Sequence, residues 1–167
     1  MGGNGAKWVE QENQAGDYEG ECGVFVGEYQ HTMDGKGRVV LPARFRKALE
    51  KDGCVLTKGQ DECVFIWPTG DWKEEAERMK RLPDTNSRTR AFKRSFFTGS
   101  EPQSLDAQGR ITIPQNFRSF AALEKDLAVV GVAERIEIWD AERWRQVSVE
   151  ADQMFAHIEE DFPDQRA

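Results

Sequence analysis

A β-rich α+β fold with short flanking helices, built from two copies of one small module, is predicted for this chain by three observations. One offset relates the two halves of the sequence, short β-branched runs recur after glycine-containing turns, and each run leads into a proline and a short amphipathic segment. The 167 residues accommodate two half-sized modules. A unit of about 60 residues buries only about 60% of its surface by itself, so the two are expected to share one core.

The offset is 72 residues, the difference between Asp106 and Asp34. Phe25 and Gly27 align with Phe97 and Gly99, and Asp34-Gly-Lys-Gly-Arg38 aligns with Asp106-Ala-Gln-Gly-Arg110. Pro42, Phe45 and Arg46 align with Pro114, Phe117 and Arg118, and Gly59, Ile66, Trp67 and Trp72 align with Gly131, Ile138, Trp139 and Trp144.

Within each unit the first strand is followed by a turn in which Asp34 or Asp106 bonds its own backbone. Gly37 or Gly109 supplies a positive φ there, so the unit is expected to open as a β-hairpin. Val39-Val-Leu41 and Ile111-Thr-Ile113 form the next strand. Pro42 and Pro114 sit where the first turn of a helix tolerates a missing N–H, and Phe45 and Leu49 then share one helix face. Val55-Leu-Thr57 with Cys63 to Trp67, and Leu127 to Val132 with Arg135 to Trp139, read as strand pairs. A helix starts near Trp72 or Trp144. The first of these runs to Leu82, ends at Pro83, and is followed by the loop Asp84-Thr-Asn-Ser87. The expected divisions are 1–23, a disordered or untranslated extension; 24–72, the first module; 73–95, a helical connector; 96–144, the second module; and 145–167, an acidic helix or tail.

Composition restricts function. Hydrophobic residues make up 38% and charged residues 32%, and the longest apolar run, Leu127 to Ala133, is far too short to span a bilayer. The N-terminus carries Lys7 among acids and no apolar stretch, so no secretory signal is expected and the cytoplasm is the expected compartment. Cys22, Cys54 and Cys63 contain no CxxC pair, which argues against a disulfide framework and against a zinc site. Reduced thiols are expected, the last two packed as small hydrophobes. His31 and His157 are the two histidines, and no nucleophile with a neighbouring base can be nominated. No enzyme activity, cofactor, metal or small-molecule substrate is expected.

A net charge of −7 argues against a nucleic-acid partner until it is divided along the chain. Residues 1–23 hold one base and five acids, and residues 145–167 hold two bases and six acids, so 24–144 sums to +1. Asp34 to Lys47 contains Lys36, Arg38, Arg44, Arg46 and Lys47 against one acid, a local +4. Phosphate attraction depends on where cations cluster. Arg38, on the rigid stem of a turn, suits bidentate pairing with guanine, and Lys36 suits phosphate. The segment from Lys73 to Ser95 holds eight bases and four acids and reads as a solvated face or a supporting contact.

The runs Phe25-Val-Gly-Glu-Tyr, Asp34 to Arg38 leading into Val-Leu-Pro42, Asp106 to Arg110 leading into Ile-Pro114, and Gly131 to Trp139 resemble the MraZ family of bacterial transcriptional regulators. The resemblance implies two AbrB-like swapped-hairpin modules forming an intramolecular pseudo-dimer, a double-psi-like β-barrel. It also implies ring-like homo-oligomers on double-stranded DNA, at tandem direct repeats upstream of the division and cell-wall gene cluster, as a repressor of that cluster and of its own gene. The candidate DNA-binding residues are Lys36, Arg38, Arg110, Arg44, Arg46 and Arg118, with Asp34, Gly37, Asp106 and Gly109 forming the turns. Arg46 and Arg118 each follow a core-facing Phe and could instead brace their modules through an acid.

Two further expectations come with this reading. Family members begin at the position of Val24, a GUG start read internally appears as Val, and Glu19-Gly-Glu21 can be encoded by a purine-rich ribosome-binding sequence. Translation starting at Val24 is therefore expected. The rival functional reading is an oligomeric protein-interaction module that binds no DNA, anchored by five tryptophans and ten phenylalanines. An antitoxin with a single AbrB-like module is disfavoured by the duplication.

Overall fold

The computed structural model describes residues 24–158. The expectations for residues 1–23 and for residues 159–167 lie outside the described residues.

The first half runs β1 (Phe25–Thr32), β2 (Arg38–Val40), α1 (Ala43–Glu50), β3 (Cys54–Lys58), β4 (Val64–Pro68) and α2 (Thr69–Lys80). Helix α3 (Ser87–Thr98) follows. The second half then repeats the order as β5 (Glu101–Gln103), β6 (Arg110–Thr112), α4 (Gln115–Phe120), β7 (Asp126–Ala133), β8 (Arg135–Asp140) and α5 (Ala141–His157). The architecture is α+β, with a large antiparallel sheet and short helices.

Six strands pair in the order β1-β7-β8-β4-β3-β5, and β2 pairs with β6 in a separate two-stranded ribbon. Exchanging the two halves reverses the six-strand order onto itself. Val39 faces Ile111 and Phe65 faces Glu137. The members of each pair stand 72 positions apart in the sequence, so one pseudo-two-fold axis passes through both pairs. Swapping follows directly: all eight residues of β1 pair with β7 of the other half, and β5 pairs with β3.

The expected local hairpin is therefore corrected. β1 and β2 flank the turn but share a single bridge, Met33 to Val39. β1 pairs along its whole length with β7 and β2 with β6 of the opposite module, which satisfies more donors and acceptors than a hairpin with a three-residue second strand could. Barrel closure is not detected among the described residues, because β1 and β5 remain the edges of an open ladder. β5 is short because α3 extends to Thr98, so Phe97 and Gly99, aligned by sequence with β1, lie at a helix end. The Asn86 side chain caps the start of α3 by accepting from the Arg88 amide, and the Phe96 ring stacks on Trp72 at 6.4 Å. That capping and stacking hold as helix what the repeat pattern marks as strand.

A second correction concerns β3 and β7. Val55 pairs with Trp67 and Ala128 pairs with Trp139, so within these strands the true offset is 73. The counterpart of Gly131 is thus Lys58, not Gly59. An extra residue before β7 is cancelled in the shorter β7–β8 turn. A Cβ on Gly131 would stand 2.6 Å from the Phe25 carbonyl carbon and 2.8 Å from the Val26 Cα, so glycine there permits the close approach of β1. α2 and α5 also begin three residues earlier than the tryptophans suggest, α5 because the Asp140 carboxylate accepts from the Glu142 and Arg143 amides.

The main core lies between the inner sheet face and the ribbon. It joins Phe25, Val39, Leu41, Phe45, Leu49, Leu56 and Ile66 of the first half to Ile111, Ile113, Phe117, Leu127, Val129 and Ile138 of the second. A smaller layer on the other sheet face contains Cys63, Phe65, Trp67, Ala128, Val130 and Trp139, covered by Trp72 of α2 and by Trp144 and Val147 of α5. Trp67 Nε1 donates to Thr57 Oγ1 at 3.0 Å and Trp139 Nε1 to Glu137 Oε2 at 2.9 Å, while Trp72 Nε1 and Trp144 Nε1 are buried without an acceptor among the described residues.

Cys54 and Cys63 are free thiols buried in these layers. Burial pushes the Cys54 thiol up to about 12 from 9.0 and raises Cys63 as well. At pH 8 both should therefore resist a thiolate-specific reagent in the folded protein and react once denatured, as counted by mass spectrometry. Rapid labelling of either in native buffer would contradict this packing.

Candidate nucleic-acid interface

The ribbon presents one face to the core and one to solvent. Alternation buries Val39 and Ile111 and turns Arg38, Val40, Arg110 and Thr112 outward. Arg38 lies opposite Thr112 and Arg110 opposite Val40. The two arginines are therefore diagonal neighbours, a relation that places Cα atoms about 7–8 Å apart.

Each arginine closes a turn of the same construction. The Asp34 Oδ1 atom accepts from the Lys36 and Arg38 amides, both at 2.9 Å, while Oδ2 accepts from Arg38 Nε at 2.7 Å. In the second copy Asp106 Oδ1 accepts from the Gln108 and Arg110 amides at 2.9 Å, and Oδ2 from Arg110 Nε at 2.6 Å. Gly37 and Gly109 donate to the carbonyls of Asp34 and Asp106 at 3.0 Å, with φ of +78° and +71°. Those values favour glycine, the residue without a Cβ penalty there.

The aspartate clamp differs from a guanidinium projecting freely into solvent. It fixes Nε and leaves the four Nη hydrogens at the outer edge of Arg38, whose side chain keeps 30% exposure. In the second turn Gln108 Oε1 also accepts from Arg110 Nη2 at 2.8 Å. Lys36, which stands in that position of the first turn, has no acceptor on its side chain.

The clamp lowers the pKa of its carboxylates. The Arg38 amide, then its side chain and the Lys36 amide, hold Asp34 at about 2 against an ordinary 3.8, and the same contacts lower Asp106. Since the folded value is the lower one, this contribution to stability is fully present above pH 3.8 and is lost as pH falls through about 2. Carbon-13 titration should show the Asp34 carboxyl half-protonated near pH 2, and a midpoint near 4 would mean that the clamp is open in solution.

The other candidates divide into two groups. Lys36 is exposed in the first turn, and Arg44 is exposed on α1, its Nη1 3.5 Å from the Tyr29 hydroxyl. Arg46 and Arg118 are half-buried. Arg46 donates from Nε to the Leu41 carbonyl at 2.9 Å, and Arg118 Nε is buried with no acceptor among the described residues. Each packs against the glycine of the opposite module's turn, Arg46 on Gly109 and Arg118 on Gly37. Among the described residues their contacts are with a backbone carbonyl and the opposite turn's glycine, and no acid pairs with either. Val40 and Thr112 were not among the sequence candidates, although the alternation around Val39 and Ile111 was the available signal. Positions matched by the repeat lose charge in the second copy: Lys36 becomes Gln108, Arg44 becomes Asn116 and Lys47 becomes Ser119.

Comparison with known proteins agrees with the duplication. The family model described as "MraZ protein, putative antitoxin-like" matches twice, over residues 24–95 and 96–165. A protein of Natranaerobius thermophilus named transcriptional regulator MraZ is 45% identical over 141 residues, covering 84% of this chain and 98% of that protein. One of Desulforamulus reducens with the same name is 43% identical over 84% of this chain and 99% of its own length. A third, from Alkaliphilus metalliredigens, is 47% identical over 81% of this chain and 94% of its own length.

Proposed function

The chain belongs to the MraZ family, and from that premise we propose that it is a transcriptional regulator whose ribbon and turns read double-stranded DNA. The observation that carries this reading is the pair of aspartate-clamped arginines on the exposed face of the β2–β6 ribbon. A two-stranded ribbon fits the major groove, where arginine pairs with guanine O6 and N7. Val40 and the Thr112 methyl group, between the arginines, suit contact with a thymine methyl. A diagonal spacing of about 7–8 Å corresponds to roughly two base steps of 3.4 Å. Lys36 in the first turn, and Arg44 and Lys47 on α1, whose start packs on the second turn, supply phosphate contacts, which position the protein without reading sequence.

The operator is tandem direct repeats upstream of the division and cell-wall gene cluster, and the action is repression of that cluster and of the chain's own gene. The protein works on nucleoid DNA in the cytoplasm, as a ring-like homo-oligomer whose subunits each engage one repeat, so that weak contacts gain from high effective concentration. Val149, Met154 and Phe155 of α5 are exposed apolar residues that support a self-association surface. No helix among the described residues is long and apolar enough to cross a membrane. The first and second modules correspond to 24–72 and 96–144, joined by the connector 73–95.

Salt titration of binding to a duplex carrying one or three repeats tests this. Affinity should fall linearly on logarithmic axes, three repeats should bind far more tightly than one, and Lys36→Ala should reduce the slope by about 0.9 on every sequence. A protein-interaction module would show no DNA binding at any salt concentration.

A further inference from the structure

We propose that the two turns are set crosswise: Arg118 of the second module is the positioning residue for the DNA-reading turn of the first, and Arg46 of the first for that of the second. This rests on the DNA-binding reading above. The Arg118 guanidinium occupies the space beside Gly37, with Nε and Cζ at 3.1 and 3.2 Å from where a Cβ would stand. Arg46 fills the same space at Gly109, with Nη1 at 2.9 Å and Nε at 3.1 Å from that point. The backbone completes each grip from the same opposite module. The Ile113 amide donates to the Gly37 carbonyl at 2.8 Å, and the Leu41 amide donates to the Gly109 carbonyl at 3.2 Å.

Gly37 is the residue just before Arg38, so a shift of its peptide moves both the amide that Asp34 accepts and the stem of the reading arginine. The grip on Gly37 therefore controls where the Nη edge of Arg38 points. The two braces also differ. Arg46 satisfies the Leu41 carbonyl and so contributes to stability, whereas buried Arg118 Nε finds no acceptor among the described residues, a cost rather than a gain. Its position is explained by the turn it supports. The more strongly charged turn, with Lys36 and Arg38, thus depends on a residue of the less charged module.

The test uses the full chain with Arg118→Met and Arg46→Met, which keep length and remove the planar guanidinium. In amide and arginine Nε spectra of the free protein, Arg118→Met should shift Gly37 and Arg38 and leave Gly109 and Arg110 in place, with Arg46→Met doing the reverse. On operator DNA, Arg118→Met should weaken binding about tenfold and Arg46→Met about threefold, although Arg46→Met should lower the thermal midpoint more. A brace serving general stability alone would move both turns together and would rank the two variants alike in melting and in binding. Shifts confined to the mutated module's own turn, or a larger DNA defect for Arg46→Met, would overturn the proposal. Should Arg38→Ala itself leave operator binding unchanged, the DNA reading falls, and the spectra alone then decide the crosswise setting.

Discussion

Arg38→Ala is expected to abolish sequence-specific binding while the chain remains folded and oligomeric. A lost bidentate base contact costs about 1–3 kcal/mol, which is about 5- to 150-fold in one subunit. In the proposed oligomer, several subunits engaging several repeats multiply that loss. The fold should tolerate the change because the pair with Asp34 lies at the surface, where ion pairs contribute little to stability. Arg110→Ala should do less. Asp34 to Lys47 sums to +4, whereas Asp106 to Ser119 holds Arg110 and Arg118 against Asp106, a sum of +1. The second turn keeps its clamp but carries Gln108 where the first carries Lys36, and Gln108 also holds the Arg110 Nη2 edge. Titration of labelled operator with both variants decides the matter, and an Arg110→Ala defect as large as that of Arg38→Ala would show that the modules read DNA equally.

The second large effect concerns the modules themselves. Residues 24–82 alone should not form a folded monomer. Cutting there removes β7 from β1, β6 from β2, β5 from β3 and β8 from β4, and uncovers Phe25, Val39, Leu41 and Ile66 of the shared core. Each such side chain contributes about 1.5–3 kcal/mol when buried. A small domain has about 5–15 kcal/mol in total, so losing several leaves nothing to hold the fold. The fragment should be unfolded when dilute and gain structure with concentration, as two copies supply each other's missing strands. Circular dichroism with sedimentation over a dilution series measures this. A folded monomer at the lowest concentration would refute the shared core.

The first of these expectations was largely legible in the sequence, because the features behind it are local. Asp34, Gly37 and Arg38 act within five residues, and the Phe45 and Leu49 spacing identifies a helix face without outside help. What was not legible depends on partners distant in the chain. The backbone of β1 could close a hairpin or reach β7, and only the three-dimensional arrangement selects β7. The 73-residue relation inside β3 and β7 was masked because its two one-residue shifts cancel before Ile66 and Ile138. Phe97 matches Phe25 as a letter, yet its neighbours Asn86 and Phe96 place it in a helix. For the site, sequence offered Arg46 and Arg118 as DNA-binding candidates or as braces through an acid, since nothing in one module reports that the other module's glycine leaves a space for them.

The pseudo-two-fold axis through Val39 and Ile111 has a consequence for orientation on DNA. A ribbon with true two-fold symmetry could be turned end for end in the groove and fit equally well, so it would carry no sense of direction along the duplex. Here the turns at its two ends match in shape but not in charge, with Lys36 at one and Gln108 at the other. Flipping the ribbon would move the cations away from the phosphates they hold, so one heading is preferred. A reader with a heading suits the same-pointing sites proposed above, where neighbouring subunits of the proposed ring, related by rotation, would face along the strand in file.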